Sequence, residues 1–211
     1  MRTAVLVSGG GANLQPILDL RERLPEMELV GVISSSAEAF ALERAKKAGV
    51  PTYLVERALF PNSGSFCSAL KNKLQDLDAE LVVCAGFKEK LSFSLLHFFR
   101  NRVIAVQPVL FPAFCTGVLD PAKALHETLA LGVRVTGATA YFMTIDDNGY
   151  GPIIAQQTVP VLQSDSVGEL TTRVLEEGEW KVLPAAVELY CKGRLRVAAD
   201  KVLISDEAGI N

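Results

Sequence analysis

Thr3-Ala4-Val5-Leu6-Val7-Ser8-Gly9-Gly10-Gly11-Ala12-Asn13-Leu14 decides the fold of this chain. Thr3–Ser8 is a short apolar run, the pattern of a strand buried on both faces. Within Asn13–Leu24, residues Leu14, Ile17, Leu18 and Leu20 fall on one helical face. Gly9, Gly10 and Gly11 stand between the two. A glycine-rich turn there lets backbone N–H groups converge on a small anion, and the helix N-terminus adds roughly half a positive charge. The guest this suggests is a phosphate; the alternative is a tight strand-to-helix turn with no ligand. The turn is neither a Walker loop nor G-x-G-x-x-G, and no acidic residue is placed for a ribose 2′-hydroxyl.

The same alternation continues outward. Glu28–Ser34 reads as a strand, Ala37–Ala48 as a helix ended by Gly49 and Pro51, Thr52–Val55 as a short strand and Asn62–Leu77 as a helix with a polar start. Glu80–Ala85 and Val103–Val106 are further buried strands. Buried strands alternating with amphipathic helices predict an α/β fold, a mostly parallel sheet with helices on both faces. The second half changes character. Pro108–Pro121 carries three prolines and a Cys-Thr-Gly turn, which predicts a long loop, followed by a helix over Pro121–Leu131. Val135–Met143 and Ile153–Val161 are joined by a connector too short for a crossover helix, which predicts antiparallel neighbours. Ser166–Lys192 reads as one long helix with a Ser166/Glu169 capping box, a kink at Pro184 and a stop at Gly193. Arg194–Ile204 fits a terminal hairpin.

The 211 residues suit one domain over 1–211, burying roughly 70% of the unfolded surface. Apolar residues make up 49% and charged residues 21%, so most of the chain is not disordered. No apolar run approaches the about 18 residues of a membrane span, and the start has too short an apolar run for a signal peptide. The net charge of −3 argues against nucleic acid as the main partner. Cys67, Cys84, Cys115 and Cys191 form no C-x-x-C pair and read as reduced thiols of a cytoplasmic protein. Any imidazole chemistry must use His97 or His126, the two histidines present. No His/Cys/Asp cluster has metal-ligand spacing, so no metal is expected.

Five segments in order carry a resemblance: SGGGANL at Ser8–Leu14, AGFKEKLS at Ala85–Ser92, VIAVQPVLFPAFC at Val103–Cys115, LHETLALGVRVTGATAYF at Leu125–Phe142 and GPIIAQQTVPV at Gly151–Val161. Their order and spacing resemble the phosphoribosylglycinamide formyltransferase family over nearly the whole chain. That resemblance implies a Rossmann-like sheet ending in antiparallel strands and a long helix. It implies formyl transfer from 10-formyltetrahydrofolate, as co-substrate, to the amine of glycinamide ribonucleotide in purine synthesis. By the same resemblance, Gly10, Gly11, Ala12 and Asn13 match the loop that binds the substrate phosphate, and Pro108 and Glu179 match substrate-binding positions. Trp180 stands where histidine is common.

The chemistry positions depart from the family pattern. The family reads N-I-H-P-S-L-x-P where this chain reads Ala105-Val106-Gln107-Pro108-Val109-Leu110-Phe111-Pro112. Gln107 replaces the general-acid histidine and Ala105 the asparagine that steadies the oxyanion. The family aspartate position is Gly149, with Asn148 or Asp147 available after a one-residue register shift. In the folate motif the chain carries Lys88 and Glu89 where methionine and arginine are usual, followed by Leu91, and a folate-site arginine is Ser63. His126 matches a family histidine outside the catalytic trio.

An amide or imidazolium aimed at the tetrahedral oxyanion is typically worth ~10²–10³ in rate, and general acid–base transfer ~10²–10⁴. Gln107 can donate a hydrogen bond but cannot exchange a proton near neutral pH, and the Ala105 side chain can do neither. Two expectations compete: a formyltransferase with a rebuilt site using Gln107 and Asp147, or a catalytically inactive relative that binds a phosphorylated metabolite or a partner protein. The folate site is expected to bind weakly or not at all. A monomer or homodimer fits either. His97 reads as structural on a helix, Cys115 as a small buried residue, and Asp146–Gly149 as either a plain turn or a relocated acid.

Overall fold

The computed structural model describes residues 1–113, 121–144 and 151–206. Its centre is a seven-stranded sheet. The strands are β1 (Arg2–Val7), β2 (Glu28–Ser34), β3 (Thr52–Leu54), β4 (Leu81–Cys84), β5 (Val103–Gln107), β6 (Val135–Phe142) and β7 (Ile153–Pro160). They lie in the order β3-β2-β1-β4-β5-β6-β7. Every pair from β3 to β5 is parallel, and β5–β6 and β6–β7 are antiparallel. The mostly parallel sheet with antiparallel strands in the second half is the one read from the alternation of runs.

The helices are α1 (Gln15–Arg23), α2 (Phe40–Lys47), α3 (Ser63–Asp76), α4 (Phe93–Phe98), α5 (Pro121–Ala130), α6 (Val167–Val174) and α7 (Trp180–Cys191). Alternation along β1 divides the core. Val5 and Val7 face one layer with Leu14, Ile17, Leu183 and Val187 of the α1 and α7 side. Ala4 and Leu6 face the other with Phe66, Leu70, Leu95 and Phe99 of the α3 and α4 side. Sheet residues buried on both faces cannot be polar without a partner, which is why the central strands read as unbroken apolar runs. Asn62 caps α3, its side-chain oxygen accepting from the Ser65 N–H at 2.9 Å. His97 lies on α4, stacked on Phe93 with ring centroids 5.7 Å apart.

The long C-terminal helix is interrupted, and not at Pro184. Ser166 and Glu169 form the expected capping box, but after α6 the chain widens into a π turn over Leu175–Glu179 before α7 begins. The Pro184 ring opposes the Trp180 carbonyl four residues earlier, and the helix re-registers just ahead of that conflict. The wide turn also seats Gly178 against β6, where an added Cβ would lie 3.0 Å from the Ala138 Cβ. Glu179 is thereby carried to the sheet side and buried. The hairpin β8 (Leu195–Ala198) and β9 (Lys201–Ile204) closes through Ala199 and Asp200, both at positive φ, the geometry of a tight two-residue connection. No helix among the described residues is long and apolar enough to cross a membrane.

Candidate functional site

The glycine turn is held open from behind. The Gly9 carbonyl accepts from the Ala41 N–H at 3.1 Å, the Gly10 carbonyl from Arg44 Nε at 3.1 Å, and the Gly11 carbonyl from the Leu14 and Gln15 N–H groups. A trans peptide points its N–H opposite to its carbonyl. With these three carbonyls turned toward α2 and the first turn of α1, the N–H groups of Gly10, Gly11 and Ala12 point the other way. None of them, nor the Asn13 N–H, meets an acceptor among the described residues. Gly11 has φ +74°, and a Cβ there would lie 2.8 Å from Ala41 Cα. Gly11→Ala is expected to cost at least about 1–3 kcal/mol, from backbone strain and overpacking together, read as a lower urea midpoint at unchanged m-value.

The loop after β4 is tied to this turn. Ser8 Oγ pairs with Ser35 Oγ at 2.7 Å and accepts from the Lys88 N–H at 3.0 Å. Lys88 and Glu89 line a cavity, but Leu91 does not: it is 4% exposed, in the core layer with Cys67 and Leu95. Leu91, which the resemblance places in the folate motif, packs in the core, while Lys88 and Glu89 of the same motif reach the cavity. Glu89 faces Arg57 of a 3₁₀ turn at 3.7 Å. The same guanidinium donates to the Phe60 carbonyl at 3.0 Å and to Ser63 Oγ at 3.4 Å. Ser63 is thus accompanied by a guanidinium from six residues upstream, a pairing that no local pattern advertises.

Ala105 and Gln107 lie on β5, Gln107 at its C-terminal end, where ligand sites of open α/β sheets form. The segment that follows is laced to the antiparallel strands. Thr139 Oγ donates to the Val109 carbonyl at 2.7 Å and accepts from the Phe111 N–H at 3.1 Å. Gln156 Nε2 donates to Thr139 Oγ and to the Phe111 carbonyl, both at 3.0 Å. Thr139 and Gln156 were not singled out from the sequence. Polar side chains in the otherwise apolar β6 and β7 were the signal available. Asp147, Asn148 and Gly149, and also Cys115, lie outside the described residues.

One cavity of about 590 Å³ brings these pieces together. Asn13, Ala105, Gln107, Pro108, Lys88, Glu89 and Glu179 all line it, with Phe87, Leu125, Tyr141 and Met143 as apolar walls. Gly10, Gly11 and Ala12 precede Asn13 in the same turn without lining the cavity. Its size and mixture of apolar walls with few polar groups suit a small organic ligand. Glu179 is 8% exposed. Burial pushes its carboxyl up to about 7, and a side-chain hydrogen bond from Asn13 acts in the opposite direction. The Asn13 Oδ1 is buried without a partner among the described residues. Cys84 also lines the cavity, but burial pushes its thiol up to about 12, so it presents no thiolate near neutral pH. Among the described residues no three His, Cys, Asp or Glu are grouped to hold a metal ion.

A glycine turn with open backbone N–H groups, beside a strand-end cavity at the edge of the parallel region, is the arrangement found in α/β folds of the nucleotide-binding type. Residues 1–187 match the formyl transferase family, and the chain belongs to that family. It is 30% identical over 209 residues to the phosphoribosylglycinamide formyltransferase of Haemophilus influenzae, covering 98% of this chain and 95% of that protein. It is 35% identical over 197 residues to the bovine (Bos taurus) trifunctional purine biosynthetic protein adenosine-3, which covers 93% of this chain but 19% of the relative. The crystal structure of glycinamide ribonucleotide transformylase 1 from Symbiobacterium toebii superposes with a TM-score of 0.89 at 40% identity, over 98% of this chain and 94% of that one. The Coxiella burnetii phosphoribosylglycinamide formyltransferase gives 0.87 at 30% identity, over the same shares.

Proposed function

We propose that this protein transfers a formyl group from 10-formyltetrahydrofolate to the amine of glycinamide ribonucleotide, with turnover slowed by its substituted chemistry residues. The observation that carries the reading is the convergence on one cavity of Asn13 from the glycine turn, Ala105 and Gln107 from the end of β5, the Phe87–Glu89 loop, and Glu179. In this reading the N–H groups of Gly10–Asn13 bind the substrate phosphate. Glu179 and Pro108 border the rest of the ribonucleotide. The apolar wall beside Phe87, Tyr141 and Met143 takes the flat ring of the co-substrate, with Lys88 and Glu89 beside it.

Gln107 can donate its amide N–H to the oxygen on which negative charge develops, and so supplies part of the electrostatic stabilisation. It cannot carry the proton released by the attacking amine. The Ala105 methyl supplies no second donor, and Asp147 is the acid proposed to act with Gln107. Co-substrate affinity is proposed to be at least about 10-fold weaker than with the usual folate motif, about 1.4 kcal/mol. The protein acts in the cytoplasm as a monomer or homodimer in this reading, with no metal, membrane or nucleic acid involved.

The test is direct: purified protein with both substrates, followed by mass detection of formylglycinamide ribonucleotide. Product above the uncatalysed rate supports the reading, and none after prolonged incubation defeats it. A second reading rests on Gln107 and Ala105 themselves: an inactive relative that binds a phosphorylated metabolite or a partner protein. It expects the ribonucleotide to bind with no product formed.

A further inference from the structure

Three adjacent parallel strands end side by side, and the side chain of one serine ties their ends together. β1 lies between β2 and β4 in the sheet. Ser8 is the first residue after β1 and Ser35 the first after β2. Backbone pairing runs a little past the strands: the Ser35 N–H donates to the Val7 carbonyl at 3.1 Å, and the Ser8 N–H to the Gly86 carbonyl at 3.2 Å. Beyond this the three segments diverge, into the glycine turn, toward α2, and into the Phe87–Glu89 loop that lines the cavity. Side chains take over the connection there. The Ser8 and Ser35 hydroxyls pair at 2.7 Å, and Ser8 Oγ also accepts from the Lys88 N–H at 3.0 Å. The connection closes from the other side. The Ser35 carbonyl accepts from the Arg57 N–H at 2.9 Å, and the Arg57 guanidinium faces Glu89 at 3.7 Å. Ser8, Ser35, Arg57, Glu89 and Lys88 thus form a closed ring of contacts.

We propose that Ser8 is a positioning residue for the co-substrate: its hydroxyl, braced by Ser35, fixes the Phe87–Glu89 wall of the cavity relative to the glycine turn. The inference rests on the co-substrate part of the proposed function, and it gives neither serine a role in the chemical step. A serine hydroxyl carries one proton and two lone pairs. Ser8 Oγ uses one lone pair on Lys88 and meets Ser35 with another site, whichever of the two hydroxyls donates. A methyl group at position 8 reproduces neither contact. The bond from the Lys88 N–H is exposed, so water can replace Ser8 Oγ there. The loss therefore falls on where the loop stands, and not on an unmet buried group. The Arg57–Glu89 contact is a weak substitute, because its side chains are 32% and 29% exposed and exposed ion pairs contribute little. A loop already held in its binding conformation gives affinity that a free loop loses in being ordered. The glycine turn keeps its own supports, since Ala41 and Arg44 donate to the Gly9 and Gly10 carbonyls. Removing the Ser8 hydroxyl thus separates the two halves of the site: the co-substrate wall loosens and the phosphate turn does not.

Steady-state kinetics of the full chain carrying Ser8→Ala is expected to show the KM for 10-formyltetrahydrofolate raised about fivefold, with kcat and the KM for the ribonucleotide within about twofold of the unsubstituted protein. Calorimetric titration with tetrahydrofolate, the product left when the formyl group has gone, should show its Kd raised by the same factor. Ser8→Thr keeps the hydroxyl and should restore both constants. Ser35→Ala should raise them about two- to threefold. The double variant Ser8→Ala, Ser35→Ala should be no worse than Ser8→Ala alone, because Ser35 acts through Ser8 Oγ. Tm is expected to move by no more than about 2 °C in either single variant, whereas a merely structural loss lowers Tm and kcat together. An unchanged KM for the co-substrate, an equal rise in both KM values, or losses that add in the double variant overturn the proposal. If the unsubstituted protein binds tetrahydrofolate but makes no product, the proposed reaction fails, and the Kd series alone still decides the role of Ser8. If it does not bind tetrahydrofolate, the co-substrate site and this role fall together.

Discussion

Ala105→Asn and Gln107→His introduced together are expected to raise the rate of formyl transfer by about 10²–10³ over the unsubstituted protein, measured as kcat at saturating ribonucleotide. An amide restored beside the oxyanion and an imidazole able to exchange a proton each act on the transition state. Their separate worths are ~10²–10³ and ~10²–10⁴, and they do not multiply when groups act as a unit. Both positions line the cavity, at and near the C-terminal end of β5, so neither side chain needs a backbone change to reach it. Ala105 is 5% exposed, which makes it the more demanding of the two, since asparagine must occupy the space beside it in a closely packed strand. A rise in kcat with little change in KM is the expected signature, because the restored groups touch charge that exists only in the transition state. If the double variant folds and turns over no faster, the unsubstituted site already carries its proton by another route, and the slow-turnover reading fails.

The second large effect is on stability. Glu179→Gln is expected to be more stable than the unsubstituted protein at pH 8 by about 3 kcal/mol, or about 6–12 °C in Tm for a chain of this length. The buried carboxyl is raised from the ordinary 4.5 to about 7. Between those values the folded state binds a proton that the unfolded state has released, so stability falls as pH rises through that window. The stability is fully present below about pH 4.5, and its loss is complete above the folded value. Glutamine is neutral throughout and escapes the loss. Asp165, Glu169 and Glu188, whose carboxyls are lowered by hydrogen bonds to Arg173, Ser166 and Lys192 in turn, lose their contribution as pH falls, on the acid side of this window. Urea unfolding from pH 5 to 8 is the measurement. A parallel decline in both proteins would mean that another group titrates. A destabilised site kept at the cavity wall is the pattern in which stability is given up for a function.

The amino-acid sequence by itself determined the frame. Unbroken apolar runs can pair only in the middle of a covered sheet, so β1, β2, β4 and β5 were legible from their neighbours in the chain. The short connector between β6 and β7 left antiparallel pairing as the available geometry. The Ser166/Glu169 capping box is a local interaction and was read locally, and the polar start of the helix over Asn62–Leu77 holds the Asn62 cap. The glycine turn, and the convergence of Gln107 and Glu179 on one cavity, were also legible, the latter through the resemblance to a known family. What tertiary structure decided was which way groups face. The N–H groups of the turn are left open because Ala41 and Arg44, some thirty residues on, donate to its carbonyls. Leu91 sinks into the core while Lys88 and Glu89 stay at the cavity. Arg57 meets Ser63 and Glu89 through a 3₁₀ turn. The helix widens at Leu175–Glu179, just ahead of Pro184, and that turn seats Gly178 against Ala138 of a distant strand. Periodicity and capping are properties of neighbouring residues, and the sequence displays them. The direction of a carbonyl, the burial of a carboxyl and the state of its proton depend on atoms brought together from distant segments, and those exist only once the sheet has closed over them.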